Sequence, residues 1–373
     1  MVFSYYLIKY PYKLVWKTIQ KFRIKKKIHF FVADEMDYIV FRNVHKFLPK
    51  VRLVAATPKI RKILQDKYAV KSQLYPSFPN AIIMARHSLH KYPEEKIIKI
   101  GMRHGPYHFK QFIGSAKYNR FDLFFMTSEK EVDESNEFGI VSAENGGYPK
   151  CDSLFDSERI KHTQVLKQKL FKSSKPTILF SSTWDKSKIS AIDYWYNSLE
   201  RFTQKFNVLV TVHPWTKQKY IDIIKKTENI IFIDTPDLTE YLLMADILIS
   251  DTSSIIAEFM VLDKPIITFR VPVQGRLTDD IYQMIEDSTY RVDSLDEMDD
   301  IISMALQNPK YHSFQRIQYV NRMFAPDLGN HSILMARKIR DFLQTKGIKK
   351  KRLINKEGKK LWKKYLLQEQ LDL

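Results

Sequence analysis

MADILISDTSSIIAEFMVLDKPIITF, residues 244–269, carries two short apolar runs with a helical pattern between them. The first run ends at Ser250, and Asp251, Thr252, Ser253 and Ser254 follow at once. A helical pattern covers 254–262, and Ile266–Phe269 is the second run. Continuous apolar runs suit strands covered on both faces, and the helix between them makes a βαβ unit with parallel strands. A helix that opens directly after a buried strand offers unpaired N–H groups and the positive end of its dipole. Three hydroxyls add donors, so this turn reads as an anion site suited to phosphate. Capping by a single Ser or Thr is the competing reading, and it leaves the other hydroxyls unexplained.

The same alternation extends in both directions. Strands are expected at 28–32, 51–55, 81–84, 97–101 and 122–126. A turn-like GGYPKCD follows at 146–152. A second series is expected at 177–180, 208–212, 230–233, 247–250 and 266–269, with helices near 156–172, 188–205, 215–227, 238–245, 254–262, 295–307 and 331–345. The expected fold is therefore α/β: two Rossmann-like domains, 28–152 and 153–345, in a GT-B-like arrangement with the active site in the cleft between them. Ligands of such sheets sit beyond the carboxyl ends of the strands. The residues there are Arg103 and His104, then Ser182, Thr183 and Trp184, then His213, then Asp251 to Ser254, and then Arg270. Histidines, hydroxyls and arginines suit a phosphorylated substrate and a hydroxyl that must lose a proton. His213 also allows a purely structural reading. His104 and His108 lack a third ligand for zinc, so no metal is expected. No Walker A loop, G-x-G-x-x-G or G-x-S-x-G occurs, which sets aside P-loop, dehydrogenase and ordinary hydrolase chemistry.

The formal charge of +19 is concentrated at the ends: 1–27 carry +8 and 346–364 carry +9. Lys9, Lys13, Lys17 and Lys21 recur every four residues, a stripe along one side of a helix, with Trp16 and Phe22 among the apolar residues beside it. The 1–27 segment reads as a basic amphipathic piece for a membrane surface, and 346–373, with Trp362, as a basic tail of the same kind. A solvated helix docked on its own domain is the alternative. No apolar run reaches the length of a membrane span. No nucleic-acid-binding module is recognisable, so nucleic acid is not an expected partner. The one cysteine, Cys151, excludes an internal disulfide and fits a reducing compartment.

The motifs resemble those of the CDP-glycerol glycerophosphotransferases of teichoic acid and capsule synthesis. The carriers are SDTSSIIAEFMVLDKPIITF at 250–269, TVHP ending at Pro214, STWD at 182–185, GYPKCD at 147–152, HGPYHFK at 104–110 and FAPDLGNHSILMARKI at 324–339. They occur in the family's order over about 95–345. Four positions depart from the pattern: the family's Thr-Pro after His-Gly is reduced to Pro106, Asp185 stands for an Arg, Trp215 for a basic residue, and Glu258 for an Asp. The resemblance implies a CDP-alditol donor, an acceptor hydroxyl on a surface polymer or its lipid-linked precursor, release of CMP, and no cofactor. It implies that His104 is the base and that His213, Ser253 and Ser254 hold the pyrophosphate. Arg103, Ser182, Thr183, Asp251, Thr252, Glu258 and Arg270 are the further expected donor contacts. A cytoplasmic enzyme, peripheral on the inner face of an anionic membrane, is the expected setting. The alternatives are a GT-B glycosyltransferase using a nucleotide sugar, and a catalytically inactive polymer-binding protein.

Overall fold

The computed structural model of the chain describes residues 2–107, 112, 114–272 and 277–371. It divides into two compact units. Met1–Tyr107, Phe112–Asp152 and Phe324–Leu373 belong to one, and Ser153–Met323 to the other.

The first unit holds a sheet of β1 (Ile28–Val32), β2 (Arg52–Ala55), β3 (Ser72–Leu74), β4 (Ala81–Met84), β5 (Ile98–Met102), β6 (Leu123–Met126) and β7 (Ala143–Asn145). The second holds β8 (Thr177–Ser182), β9 (Asn207–Val212), β10 (Ile230–Phe232), β11 (Ile247–Ser250), β12 (Ile266–Phe269) and β13 (Tyr290–Val292). The strand orders are β3-β2-β1-β4-β5-β6-β7 and β10-β9-β8-β11-β12-β13, with parallel pairing throughout. Each sheet thus reverses its winding once, between β1 and β4 and between β8 and β11. Loops at such a reversal diverge to opposite faces and leave room for a ligand. The central strands are fully buried. In the second unit Phe180, Trp195, Phe202, Val210 and Ile249 share one core.

Three strands absent from the expectation, β3, β7 and β13, are three-residue edge strands whose sequences, SQL, AEN and YRV, show no apolar run. The helix expected over 188–205 is two single turns, Ile192–Trp195 and Glu200–Thr203. The apolar spacing persists through Trp195, Leu199 and Phe202. Asn197 and Ser198, residue types that disfavour helix interiors, stand between the turns, the Ser198 hydroxyl donating to Asn197 Oδ1.

The second boundary also differs. The helix His331–Thr345, expected in the second domain, belongs to the first unit. Buried His331 explains its return. Its Nδ1 accepts from Tyr148 N–H at 3.1 Å, and its Nε2 lies 2.9 Å from the Ala325 carbonyl, so the ring donates there. Asp152 accepts the N–H groups of His331 and Ser332 at 3.1 and 2.6 Å. Gly147, at φ +67°, lies so close that a Cβ would meet the His331 ring at 2.6 Å.

Both basic ends dock on the first unit. In the helix Val2–Phe22, Tyr12 and Trp16 are buried and donate to the carbonyls of Ser77 and Pro79, both at 2.7 Å. Trp16 is therefore not available to insert in a bilayer. In the helix Lys356–Leu371, Trp362 is buried, donates to the Phe47 carbonyl at 3.0 Å and lies 4.7 Å under the Arg340 guanidinium. Over its described residues, to Leu371, the segment expected as a loose basic tail from 346 onward is thus a strut of the first unit. Trp362→Ala should destabilise the first unit by about 3–5 kcal/mol, the usual cost of emptying a buried aromatic site. Urea unfolding followed by far-UV circular dichroism measures it, and a midpoint equal to wild type would mean that the tail is not part of the folded unit.

Candidate active site

In the first unit the loop after β5 presents Arg103 and His104. The helix Glu129–Glu137 fastens it. Ser128 caps that helix by accepting the Glu131 N–H. Glu131 is fully buried: Oε2 accepts the Thr127 N–H at 2.7 Å and hydroxyl at 3.0 Å, and Oε1 lies 3.2 Å from the Arg103 guanidinium. Arg103 also donates to the Tyr107 carbonyl at 2.8 Å, and Tyr107 N–H donates to Thr127 Oγ1 at 3.1 Å. The Arg103 head group is thus engaged within the unit, where a donor contact had been expected, and its geometry is that of a loop fastener. Sequence reading passed over Glu131, although the pattern Ser128-x-x-Glu131 is a helix-start signature.

His104, on the secured loop, is exposed. Its Nδ1 lies 3.2 Å from the Ala85 carbonyl, and its own carbonyl accepts from Tyr148 Oη at 3.3 Å. A carbonyl only accepts, so Nδ1 carries the proton and the neutral ring has its lone pair on Nε2. His108 lies outside the described residues.

In the second unit the loops after β8, β9 and β11 emerge from three adjacent strands. Asp251, wholly buried, ties two of them. It accepts from Thr183 N–H at 3.0 Å, Ala191 N–H at 3.0 Å and Thr252 N–H at 2.5 Å. Its oxygens are occupied by backbone, so it organises the loop instead of touching a donor as expected. The Thr252 hydroxyl donates to the Ile189 carbonyl at 3.1 Å. Ser253 and Ser254 are half-buried, and Ser254, at the N-cap of the helix Ile255–Met260, makes no side-chain cap bond. The helix is six residues long, so its dipole adds little and the hydroxyls matter more. The hydroxyls of Ser182 and Ser250, buried at the ends of β8 and β11, have no hydrogen-bond partner among the described residues.

His213, half-buried after β9, accepts the Trp215 N–H on Nδ1 at 3.1 Å. Its neutral ring therefore carries its proton on Nε2, opposite to His104. Trp184 and Trp215 meet edge to face at 5.5 Å. Asp185 and Lys217, neither expected at the site, form an ion pair at 3.1 Å between the same two loops. Glu258 is buried on the short helix. Arg270, beyond β12, is exposed and pairs with Asp293 at 3.3 Å. Structure thus brings Thr183, Asp251 and Thr252 into one bonded turn and aligns His213, Ser253 and Ser254 on the same sheet edge. Arg270 stands two strands from β8. No group of three or more His, Cys, Asp or Glu able to hold a metal occurs among the described residues.

Burial raises the Asp251 carboxyl to about 6, against the lowering effect of the Ala191, Thr252, Thr183 and Ser253 N–H groups. An unfolded aspartate titrates near 4, so the folded chain holds this proton more tightly. The stability it contributes is present in full below about pH 4 and is lost as pH rises through about 6. Relative to Asp251→Asn, wild type should lose about 3 kcal/mol between those limits. Urea unfolding of both proteins across pH 4–7 measures the difference; parallel curves would mean that Asp251 does not titrate in this window.

Residues 115–284 match the family described as CDP-Glycerol:Poly(glycerophosphate) glycerophosphotransferase. The teichoic acid ribitol-phosphate polymerase TarL of Staphylococcus aureus (strain NCTC 8325 / PS 47) is 26% identical over 275 residues, 69% of this chain and 47% of TarL. TarK of the same organism, also a teichoic acid ribitol-phosphate polymerase, is 26% identical over 268 residues, 67% of this chain and 50% of TarK. The chain thus spans about half the length of the curated relatives it matches. A structure of the wall teichoic acid polymerase TagF superposes with a TM-score of 0.64 at 16% identity, covering 91% of this chain and 94% of that one; the α/β fold with two parallel sheets is shared. The resemblance to the CDP-glycerol glycerophosphotransferases carried by the sequence motifs is therefore shown, by the family match over 115–284 and by the polymerases to which the chain is similar.

Proposed function

We propose that the chain is a transferase that moves a polyol phosphate from a CDP-activated donor to a hydroxyl of a surface polymer or its lipid-linked precursor. The family match over 115–284 carries this reading. The two histidines supply a mechanism. His104 Nε2, with its lone pair, takes the proton of the acceptor hydroxyl. The alkoxide oxygen attacks the β-phosphorus, the bond from that phosphorus to the bridging oxygen breaks, and CMP leaves with the electron pair. His213 Nε2–H, with the Ser253 and Ser254 hydroxyls, donates to the pyrophosphate oxygens on which charge grows. Phosphoryl transfer needs such placement and charge stabilisation more than covalent help.

Incubation of the protein with CDP-glycerol, CDP-ribitol and a panel of UDP- and GDP-sugars, with nucleotide release as the readout, tests the donor. CMP from a CDP-alditol is expected; UDP or GDP release would make the chain a sugar transferase. His104→Ala should lower turnover by about 10²–10⁴-fold, the usual contribution of a general base, with the fold intact by circular dichroism. Near-normal turnover would remove His104 from that role.

The proposed setting is the anionic inner face of a membrane, including for capsule synthesis. No described helix is long and apolar enough to cross one. The outer side of the helix Val2–Phe22 and the residues after it expose Tyr10, Leu14, Phe22 and Ile24 beside Lys17, Lys21 and Lys25. A cation near an anionic bilayer contributes about 1 kcal/mol and acts only within a Debye length. Co-sedimentation with phosphatidylglycerol vesicles should fall with salt, and fall more than tenfold, by that estimate, when Lys17, Lys21 and Lys25 are changed to Glu. Sedimentation unchanged by these substitutions would exclude this face as the anchor.

A further inference from the structure

One carboxylate joins the loops after β8 and β9. Asp185 Oδ1 accepts the Lys217 N–H at 3.1 Å, and Oδ2 lies 3.1 Å from the Lys217 ammonium. The Asp185 side chain is only 3% exposed. Lys217 is the N-cap of the helix Gln218–Lys226, and its own side chain makes no cap bond. Asp185 therefore does from a neighbouring loop what a local Asp or Ser cap does. It satisfies an orphan N–H and sets negative charge at the positive end of the helix.

Trp215 lies between His213 and Lys217. Its N–H donates to His213 Nδ1, its indole meets the imidazole at 5.2 Å, and Thr216 N–H donates to the His213 carbonyl at 2.9 Å. Trp184, next to Asp185, packs against the Trp215 ring from the other loop. The backbone at 215–217 is thus held at one end by Asp185 and at the other by the His213 turn. The direction of the Trp215 N–H follows from both.

We propose that Asp185, with Lys217, is a positioning residue for His213, holding the 215–217 backbone so that the Trp215 N–H selects the imidazole tautomer that donates from Nε2. A ring free to exchange tautomers presents a lone pair to phosphate part of the time, and that repels an anion. This inference rests on the reading of His213 as a pyrophosphate ligand and adds what makes it a donor.

The test uses the full chain with ¹⁵N-labelled histidine at a pH where imidazoles are neutral, with His213 assigned by the signals lost in His213→Ala. Wild type should show Nδ1 as an unprotonated acceptor and Nε2 as N–H. Asp185→Ala should bring the two nitrogens toward averaged shifts. Asp185→Asn, whose amide oxygen still accepts the Lys217 N–H, should restore most of the wild-type pattern. Turnover with the active CDP-alditol should fall about 10–100-fold in Asp185→Ala, the scale of a small misplacement of a reacting group, with KM changed less than threefold. If thermal melting shows Asp185→Ala unfolded, Asp185→Ser, too short to reach Lys217, replaces it with the same expectation. An unchanged His213 pattern in the folded variant overturns the proposal. The tautomer needs no donor for its measurement, so wild type that releases no nucleotide refutes the function and leaves this inference to be judged by the spectrum.

Discussion

A parallel strand covered on both faces can carry polar side chains only near its ends, because a polar group in the middle would lose water without gaining a partner. That constraint arranges this molecule. The apolar runs AIIM, LFFM and IITF are buried along their whole length. Polar side chains are left to the turns beyond the strands, where His104, His213 and the Asp251–Ser254 stretch stand. Neighbouring parallel strands end on the same edge, so turns remote in sequence become neighbours. The β8 and β11 turns, 68 residues apart, meet through Thr183 N–H and Asp251.

Buried carboxylates stabilise those turns. Asp251 and Glu131 are each removed from water and surrounded by donors, Asp251 by backbone N–H groups and Glu131 by Thr127 and Arg103. A buried charge is tolerated when hydrogen bonds replace its hydration. For Asp251 the N–H groups offset only part of the lost hydration, so its carboxyl is raised to about 6, and their geometry is what fixes the turn. In the first unit Glu131 secures the loop that carries His104, through Arg103 and Thr127, while in the second Asp251 joins the loops after β8 and β11. The histidines differ in the backbone group at Nδ1: a carbonyl faces that of His104 and an N–H faces that of His213. In their neutral forms the two rings therefore carry the proton on opposite nitrogens.

Asp185 shows how a departure from a family pattern finds its reason in packing. As an acid in place of an expected Arg, it looks in sequence like a lost substrate contact. In the fold its charge is answered by Lys217 and its oxygen by a helix-end N–H. Trp215, also a departure, supplies the N–H that sets the His213 tautomer. These residues lie about 30 positions apart in sequence and have no periodicity that would pair them.

The central strands and the helix His331–Thr345 were legible in sequence, because burial on both faces or along one stripe leaves an apolar pattern whatever the neighbours are. The turn residues were legible for the same reason, as the polar groups directly after apolar runs, and so were His104, His213 and the hydroxyls of 252–254. The edge strands SQL, AEN and YRV were not, since an edge strand is held by one neighbour's backbone and needs no apolar run. Nor was the allegiance of the chain after 323, which is decided by His331 filling a space beside Gly147 and by Asp152 receiving its helix. The basic ends were read by charge, while Tyr12, Trp16 and Trp362 were committed by carbonyls at Ser77, Pro79 and Phe47. Sequence determined which residues could serve phosphate chemistry. Only the tertiary structure decided which of them face inward on a partner, as Arg103 and Asp251 do, because that depends on donors and acceptors brought close from distant parts of the chain.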